Sequence, residues 1–285
     1  MAQGNFERGS VDQWLEKVRA RPESVRAARG LARAIVNTID PESKDSRGID
    51  ALLTEIRRLR LTFGADEEIA HSHAMALSNA AEEAVSEEIL ERNRSLLDEL
   101  RSVTASLEWK EYSVSGFNIV IMAAQYLGLL GQARYDEANR QLVEMSNGAF
   151  GGTHRERLEW LIAVRHGFWT LLSQRELSRV NDQIELVRDF RRRHPGDDYE
   201  APHALLAMLL GDFEDAERRG DIGLADARFE EACSLGCVAK DHYGHVERLH
   251  RDLSPRRLSE PARGFLLAER LASIWQLTSS ESRPN

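Results

Sequence analysis

Cysteine is nearly absent from this 285-residue chain, which contains only Cys233 and Cys237. Two cysteines cannot build a disulfide framework, and a spacing of four residues on a predicted helix favours two reduced thiols. The chain also lacks any run of about 18 consecutive apolar residues, the length that a membrane-spanning helix needs. Its N-terminal segment, Met1 to Arg8, has no apolar stretch behind a positive segment. The sequence therefore predicts a soluble, cytoplasmic protein with no membrane partner.

Lysine is scarce too, because only four of the 38 Lys and Arg residues are lysine, and the formal net charge is −9. This acidic balance argues against a general nucleic-acid binder, whose non-specific affinity comes mainly from a net-basic face that neutralises phosphates. The densest basic run, Arg188 and Arg191 to His194, ends a predicted helix, where cations stabilise the helix dipole. A nucleic-acid-binding helical-repeat protein stays an alternative, with this run as its binding surface.

Proline occurs only seven times, mostly between periodic segments, and alternating runs of β-branched residues are missing. Ala, Leu, Glu, Arg and Gln fill the periodic stretches, which predicts helices. Ser10 and Gln13 form a capping-box pattern that begins a short helix ending near Arg19. The rest of the chain pairs into hairpins, predicted at 22–39 with 47–62, 65–83 with 87–105, 109–130 with 134–147, 153–173 with 176–193, 200–219 with 221–235, and 238–251 with 260–278.

One helical phrase recurs along the chain. The run from Leu52 to Arg57, LLTEIR, returns as LLDELR from Leu96 to Arg101, 97 − 53 = 44 residues later. Weaker echoes place anchors at positions 53, 97, 142, 184, 229 and 271, which step by 44, 45, 42, 45 and 42. A period of this size without strands is typical of stacked helix pairs. We therefore predict an all-α, right-handed α-solenoid of about six antiparallel hairpins and roughly 12–13 helices.

Glycines at positions 148, 151 and 152 form the best predicted break between helices. We divide the chain there into N-terminal hairpins at 1–147 and C-terminal hairpins at 148–278, within one continuous solenoid. A two-lobed protein hinged at this break is the second architecture. The polar tail at 279–285 is predicted to be disordered.

The segment from Gly220 to Ala232 resembles the turn and second helix of a tetratricopeptide repeat (TPR). Gly220 closes the turn, and Ala225, Phe229 and Ala232 follow at offsets of five, nine and twelve residues. Alanines let helices approach closely while the larger residue fills the gap between them. The run from Tyr135 to Leu142 is a partial second match. The first helices depart from the TPR pattern and the step exceeds the family's 34 residues, so a HEAT-like solenoid is equally open.

This resemblance implies a non-catalytic adaptor or scaffold that binds a protein or peptide segment in a solenoid groove. Members of the family present the first helix of each hairpin to the concave face. Amide side chains can pair both donor and acceptor with a ligand backbone, and arginine can clamp a carboxylate. No cofactor is implied. The polar candidates on the predicted first helices are His71, Asn79, Asn118, Gln125, Arg165 and His203.

The densest group of metal-capable side chains suits tetrahedral zinc, with two thiols and nearby imidazoles. Its members are Cys233, Cys237, His242, His245 and His250. Against this, Cys233 follows the core-facing Ala232, and free cysteine is among the most buried residue types. A metal-binding all-α protein or enzyme with a site near 233–250 is therefore an alternative, and metal binding is not the main prediction.

Motifs of known catalytic chemistry are missing. There is no Gly-x-Ser-x-Gly and no glycine-rich phosphate loop, so we name no catalytic residue. Two Glu-x-x-His pairs, Glu68 with His71 and Glu247 with His250, have the spacing of di-metal bundles but lie 250 − 71 = 179 residues apart. The aromatic residues of the helix predicted at 153–173 are expected to belong to the core.

Overall fold

The computed structural model describes residues 10–39, 46–82, 85–105, 116–195 and 200–236. Within these ranges the chain is all-α and contains no β-strand. Its helices are α1 (Val11–Ala20), α2 (Val25–Thr38), α3 (Ser46–Thr62), α4 (Glu67–Asn79), α5 (Glu87–Ala105), α6 (Phe117–Gly131), α7 (Tyr135–Phe150), α8 (His154–Ser173), α9 (Leu177–Arg193), α10 (Glu200–Arg219) and α11 (Ile222–Gly236).

These helices correspond to the predicted N-terminal helix and to both members of the first five predicted hairpins. The capping box at Ser10 is present, since Ser10 and Gln13 exchange hydrogen bonds between their side chains and backbone amides. The sixth predicted hairpin, 238–278, and the predicted tail, 279–285, lie outside the described residues. The prediction of an all-α fold is confirmed.

Helix α7 continues three residues past its predicted end at position 147 and takes in Gly148. Ala149 is buried, and the Phe150 ring packs edge-on against Trp160 with 5.1 Å between ring centroids. Trp160 also donates a hydrogen bond of 3.0 Å from its indole nitrogen to the Ser146 hydroxyl. Burial and these contacts outweigh the helix penalty of one glycine, which is about 1 kcal/mol.

The chain divides into two compact units between Trp160 and Leu161, inside α8. In the first unit, helices that are consecutive in the chain pack together. In addition, α2 packs against α4, and α4 packs against α6. In the second unit, α10 packs against α9 and α11. Contacts between alternate helices are what stacked hairpins produce, because successive first helices then lie side by side.

A repeated ion pair joins successive second helices within each unit. The pairs are Arg57 with Glu99, Arg101 with Glu144, and Arg188 with Glu231. Each arginine lies four residues after an anchor of the sequence repeat, as in 57 − 53 = 4. Each glutamate lies two residues after the next anchor, as in 99 − 97 = 2. The recurring phrase therefore marks equivalent positions, although one exposed ion pair adds only about 0–1 kcal/mol.

The predicted aromatic core is confirmed at two of its three tryptophan and phenylalanine positions. Trp160 in the first unit and Phe168 in the second are fully buried, whereas Trp169 is 41% exposed. The Trp169 ring packs edge-on against Phe168 at 5.1 Å and lies over Gly211 of α10. A Cβ at Gly211 would lie 2.4 Å from the indole, so only glycine fits there.

The segment from Gly220 to Ala232 forms the turn between α10 and α11 and most of α11. Gly220 has a φ of 76° in the turn between α10 and α11, a conformation that glycine adopts at little cost. Ala225, Phe229 and Ala232 are buried, and the Phe229 ring lies 5.5 Å from that of Phe213 in α10. Small and aromatic residues thus alternate along the α10–α11 contact.

A further finding concerns membranes. Across the described ranges, none of the helices combines the length and the apolar run that crossing a bilayer requires. The most apolar of them, α6, has only 15 residues, Phe117–Gly131, which at about 1.5 Å per residue falls short of a hydrocarbon layer of about 30 Å.

Candidate binding face

All the polar candidates lie on the first helices of hairpins, as predicted. His71 and Asn79 are in α4, Asn118 and Gln125 in α6, Arg165 in α8 and His203 in α10. Arg165 and His203 belong to the second unit and the others to the first. All are half-buried except Gln125, which is 3% exposed and therefore does not contribute to the surface.

Three consecutive first helices meet at Phe117, the first residue of α6. The ring of His71, from α4, lies 5.7 Å from the Phe117 ring. The Arg155 guanidinium, from the first turn of α8, lies 5.1 Å from the same ring on a cation–π contact. Glu159, one turn further along α8, lies 3.8 Å from Arg155. We call His71, Phe117, Arg155 and Glu159, with Asn118 as the next residue of α6, the Phe117 cluster.

The backbone at Gly116 allows this meeting. Gly116 precedes α6 with a φ of 94°, a left-handed conformation that costs other residues roughly 1–2 kcal/mol. A Cβ at Gly116 would also lie 3.0 Å from Cγ of Arg155. Glycine therefore favours the turn into α6, and its lack of a Cβ leaves room for the arginine stem.

Titratable groups of the Phe117 cluster are shifted in opposite directions. Burial, together with the positive charge of Arg155, lowers the pKa of His71 below its usual 6.5. Burial raises the pKa of Glu159 above 4.5, and the charge of Arg155 opposes this shift without cancelling it. Desolvation thus penalises the charged form of both side chains, and Arg155 is the cationic group of the cluster.

Amide groups near the cluster are incompletely hydrogen-bonded. Oδ1 of Asn118 and Nε2 of Gln125 are buried without a hydrogen-bond partner in the part of the chain that the structure describes. Gln125 lies seven residues after Asn118 on α6, on the same helical face. Buried polar atoms normally have a hydrogen-bond partner. Helix α6 therefore has one acceptor and one donor that its described neighbours do not bind.

A charged network that was not predicted from the sequence joins α3, α4 and α5. Glu99 of α5 accepts two hydrogen bonds from Arg57, of 2.8 and 2.7 Å, and one ring nitrogen of the buried His73 lies 3.0 Å away. Burial of Glu99 raises its pKa. The hydrogen bonds from His73 and Arg57, with their charges, outweigh burial and lower the pKa of Glu99 to about 2.

The pKa of Glu99 predicts a loss of stability in acid. Because the folded-state pKa lies below the usual value of 4.5, Glu99 stabilises the fold above that pH, and this contribution is lost as pH falls from 4.5 toward 2. Glu99→Gln should therefore flatten this part of the pH profile, measured by urea unfolding of the full chain. Asp98→Asn, on the exposed neighbouring residue, is the control and should leave the profile unchanged.

Metal ligation finds no support among the described residues, where no three His, Cys, Asp or Glu side chains converge on a possible ion. Glu68 of the first Glu-x-x-His pair is instead engaged by Arg33 and Arg29. Cys233 is on α11, while the second Glu-x-x-His pair and the other candidates, Cys237, His242, His245 and His250, lie outside the described residues.

Most of the basic run at the end of α9 is ion-paired within the second unit. Arg188 donates to Glu231 of α11, with 2.7 Å from its Nε. Arg193 and Arg192 pair with Asp189 at 2.7 and 3.4 Å. These contacts give the run a structural explanation, because paired arginines have less charge to offer a phosphate backbone.

Within the described residues of the first unit, the Phe117 cluster joins a buried aromatic ring, that of Phe117, to the partly exposed guanidinium of Arg155. Comparisons with protein-family models, with curated proteins and with solved structures found no match.

Proposed function

We propose that the protein is a non-catalytic adaptor built from TPR-like or HEAT-like hairpins, and that it binds an extended protein or peptide segment. The binding surface is the first-helix face of the first unit around Phe117, whose own ring is buried, so the side chains that can reach a ligand are Arg155, Asn118 and His71. The observation that carries this proposal is the meeting of α4, α6 and α8 at Phe117. Side chains from three successive hairpins can then contact one ligand along its length.

The repeat architecture is supported by the ion pairs between equivalent positions. Arg57 and Arg101 belong to two copies of the same phrase, and each pairs with a glutamate one repeat further on. The contacts of α2 with α4 and of α4 with α6 add the stacking of first helices that a solenoid requires.

The chemistry of the cluster suits a peptide backbone. Asn118 is half-buried, and its Oδ1, which has no hydrogen-bond partner among the described residues, is an acceptor for a backbone N–H of the ligand. His71 adds a neutral imidazole at neutral pH, because burial and Arg155 lower its pKa. Extended segments expose unpaired N–H and C=O groups, which these side chains can satisfy.

This function predicts that display selection with the full chain enriches linear peptides and that Asn118→Ala weakens their binding. Loss of one net hydrogen bond, of about 0.5–1.5 kcal/mol, corresponds to roughly a 2- to 12-fold rise in Kd. Fluorescence polarisation with a selected peptide measures the change, and circular dichroism confirms that the variant folds. Arg101→Ala, on the exposed face of α5, is the matched control and should bind normally.

The result that would reject the proposal is equally concrete. Selection that enriches no peptide, or binding that survives in folded Asn118→Ala and His71→Ala variants alike, would remove the Phe117 cluster from consideration. The sequence candidates of the second unit, Arg165 and His203, would then be the next residues to vary.

A further inference from the structure

We propose that the ligand of the Phe117 cluster is an acidic peptide segment, and that its carboxylate binds the Arg155 guanidinium in place of Glu159. This inference rests on the proposed function and specifies the chemistry of its partner. The carboxylate belongs to an Asp or Glu side chain of the segment or to its free C-terminus.

Arg155 is only weakly held by its acidic neighbour. Its Nε lies 3.8 Å from Glu159, which is beyond hydrogen-bond distance, and among the described residues Arg155 donates no hydrogen bond. Other arginines of the unit are held much closer, for example Arg57 at 2.7 Å from Glu99 and Arg134 at 2.6 Å from Glu137. Arg155 therefore keeps its donors available although it lies among structured neighbours.

The guanidinium of Arg155 is already positioned before a ligand binds. Phe117 lies under it, and Gly116 leaves room for its stem, so one face of the guanidinium is stacked on the ring. Half of the Arg155 side chain, 49%, remains exposed to solvent. A planar guanidinium that is stacked on one face can bind a carboxylate edge-on through two parallel hydrogen bonds, at little further cost in side-chain entropy.

The helix end itself is not the anion site. Glu156 and Thr153 already cap α8, because the Glu156 carboxylate accepts from the Thr153 amide at 2.7 Å and the Thr153 hydroxyl accepts from the Glu156 amide. The positive group that can bind a carboxylate is therefore the Arg155 guanidinium. The ligand must contact this side chain and not the backbone amides of the first turn of α8.

Glu159 is the internal competitor. It is the only acidic partner that the structure places near Arg155 in the described ranges, and burial raises its pKa, so its charged form is poorly stabilised. The other titratable group that faces the cluster is His71, from α4. As pH falls below neutrality, protonation of Glu159 and of His71 both favour an anionic ligand, until the ligand's own carboxylate is protonated.

The experiment compares a display-selected peptide with its amide analogue, in which Asp, Glu and the C-terminal carboxylate are replaced by uncharged amides. Binding to the full chain and to Arg155→Gln, Arg155→Lys and Glu159→Gln is measured by fluorescence polarisation. A charge-assisted bond of about 1.5–3 kcal/mol predicts a loss of roughly 12- to 160-fold, both for the amide analogue on the native chain and for Arg155→Gln with the acidic peptide. Arg155→Lys should lose less, since it keeps the charge.

A double-mutant cycle gives the specific signature. The losses from the amide analogue and from Arg155→Gln should not add, and Glu159→Gln should tighten the acidic peptide while leaving the amide analogue unchanged. Arg101→Gln, outside the cluster, should bind both peptides as the native chain does.

Every other outcome contradicts one part of the proposal. Selected peptides that bind Arg155→Gln, or bind as amide analogues, with native affinity would reject the acidic ligand and leave the adaptor proposal standing. If Glu159→Gln binds the acidic peptide with native affinity, Glu159 does not compete with the ligand for Arg155. If no peptide is enriched, the proposed function fails, and the acidic ligand fails with it.

Discussion

Asp212→Ala is expected to destabilise the second unit by about 3–5 kcal/mol. Asp212 of α10 and Arg228 of α11 form an ion pair of 2.7 Å, with side chains only 3% and 10% exposed. Arg228 also donates to Asn181 of α9, so one guanidinium joins three helices. Alanine removes the carboxylate and leaves a buried guanidinium without its main partner. Urea unfolding followed by circular dichroism gives the change in the free energy of unfolding.

Two controls isolate the burial of this pair. Asp189→Ala removes the surface partner of Arg192 and Arg193 and should cost under about 1 kcal/mol. The double variant Asp212→Leu with Arg228→Met replaces both charges by apolar groups and should recover most of the lost stability. If Asp212→Ala were no more harmful than Asp189→Ala, the pair would not be as buried as described.

Phe229→Ala and Leu97→Ala are each expected to cost about 2–5 kcal/mol, because both side chains are buried at anchors of the repeat. Phe229 packs against Phe213, and Leu97 belongs to the apolar stripe of α5. Arg101→Ala should cost under roughly 0.5 kcal/mol, since Arg101 is exposed and its pair with Glu144 lies at the surface.

The same urea unfolding measurement decides this prediction. Leu97 reports on the first unit and Phe229 on the second, so each variant should lower the stability of the unit that contains it. Equal midpoints for all three variants would mean that the anchors do not face the interior, and the register read from the sequence would be wrong.

The helices could be predicted because the signals that form them are local. Apolar spacing, the capping box at Ser10 and the glycine at Gly220 act within a few residues, and the structure has the corresponding caps and turns. The end of α7 was missed because it is not local. Phe150 continues the helix to meet Trp160 on the following helix, and a glycine count cannot report that contact.

The proposed binding face could be reached from the sequence only in part, for a related reason. Residue type selected Asn118 of α6 and His71 of α4, yet Gln125 is buried because a polar side chain alone does not define the face that its helix turns outward. Phe117 and Arg155 went unnamed because their significance is a 5.1 Å contact between α6 and α8. The available sequence signal was the Gly-Phe pair that opens α6.

The ion pairs between second helices give the repeat a property that concerns its ancestry. Helix α5 forms ion pairs with the second helices on both sides of it. Its Glu99 pairs with Arg57 of α3, and its Arg101 pairs with Glu144 of α7. A tandem copy of this hairpin would carry a glutamate for the arginine before it and an arginine for the glutamate after it. Duplication of the hairpin would therefore leave no charged side chain without an ion-pair partner at these positions. At the equivalent positions 146 and 186 the chain has Ser146 and Leu186, and a copy inserted there would find no such match.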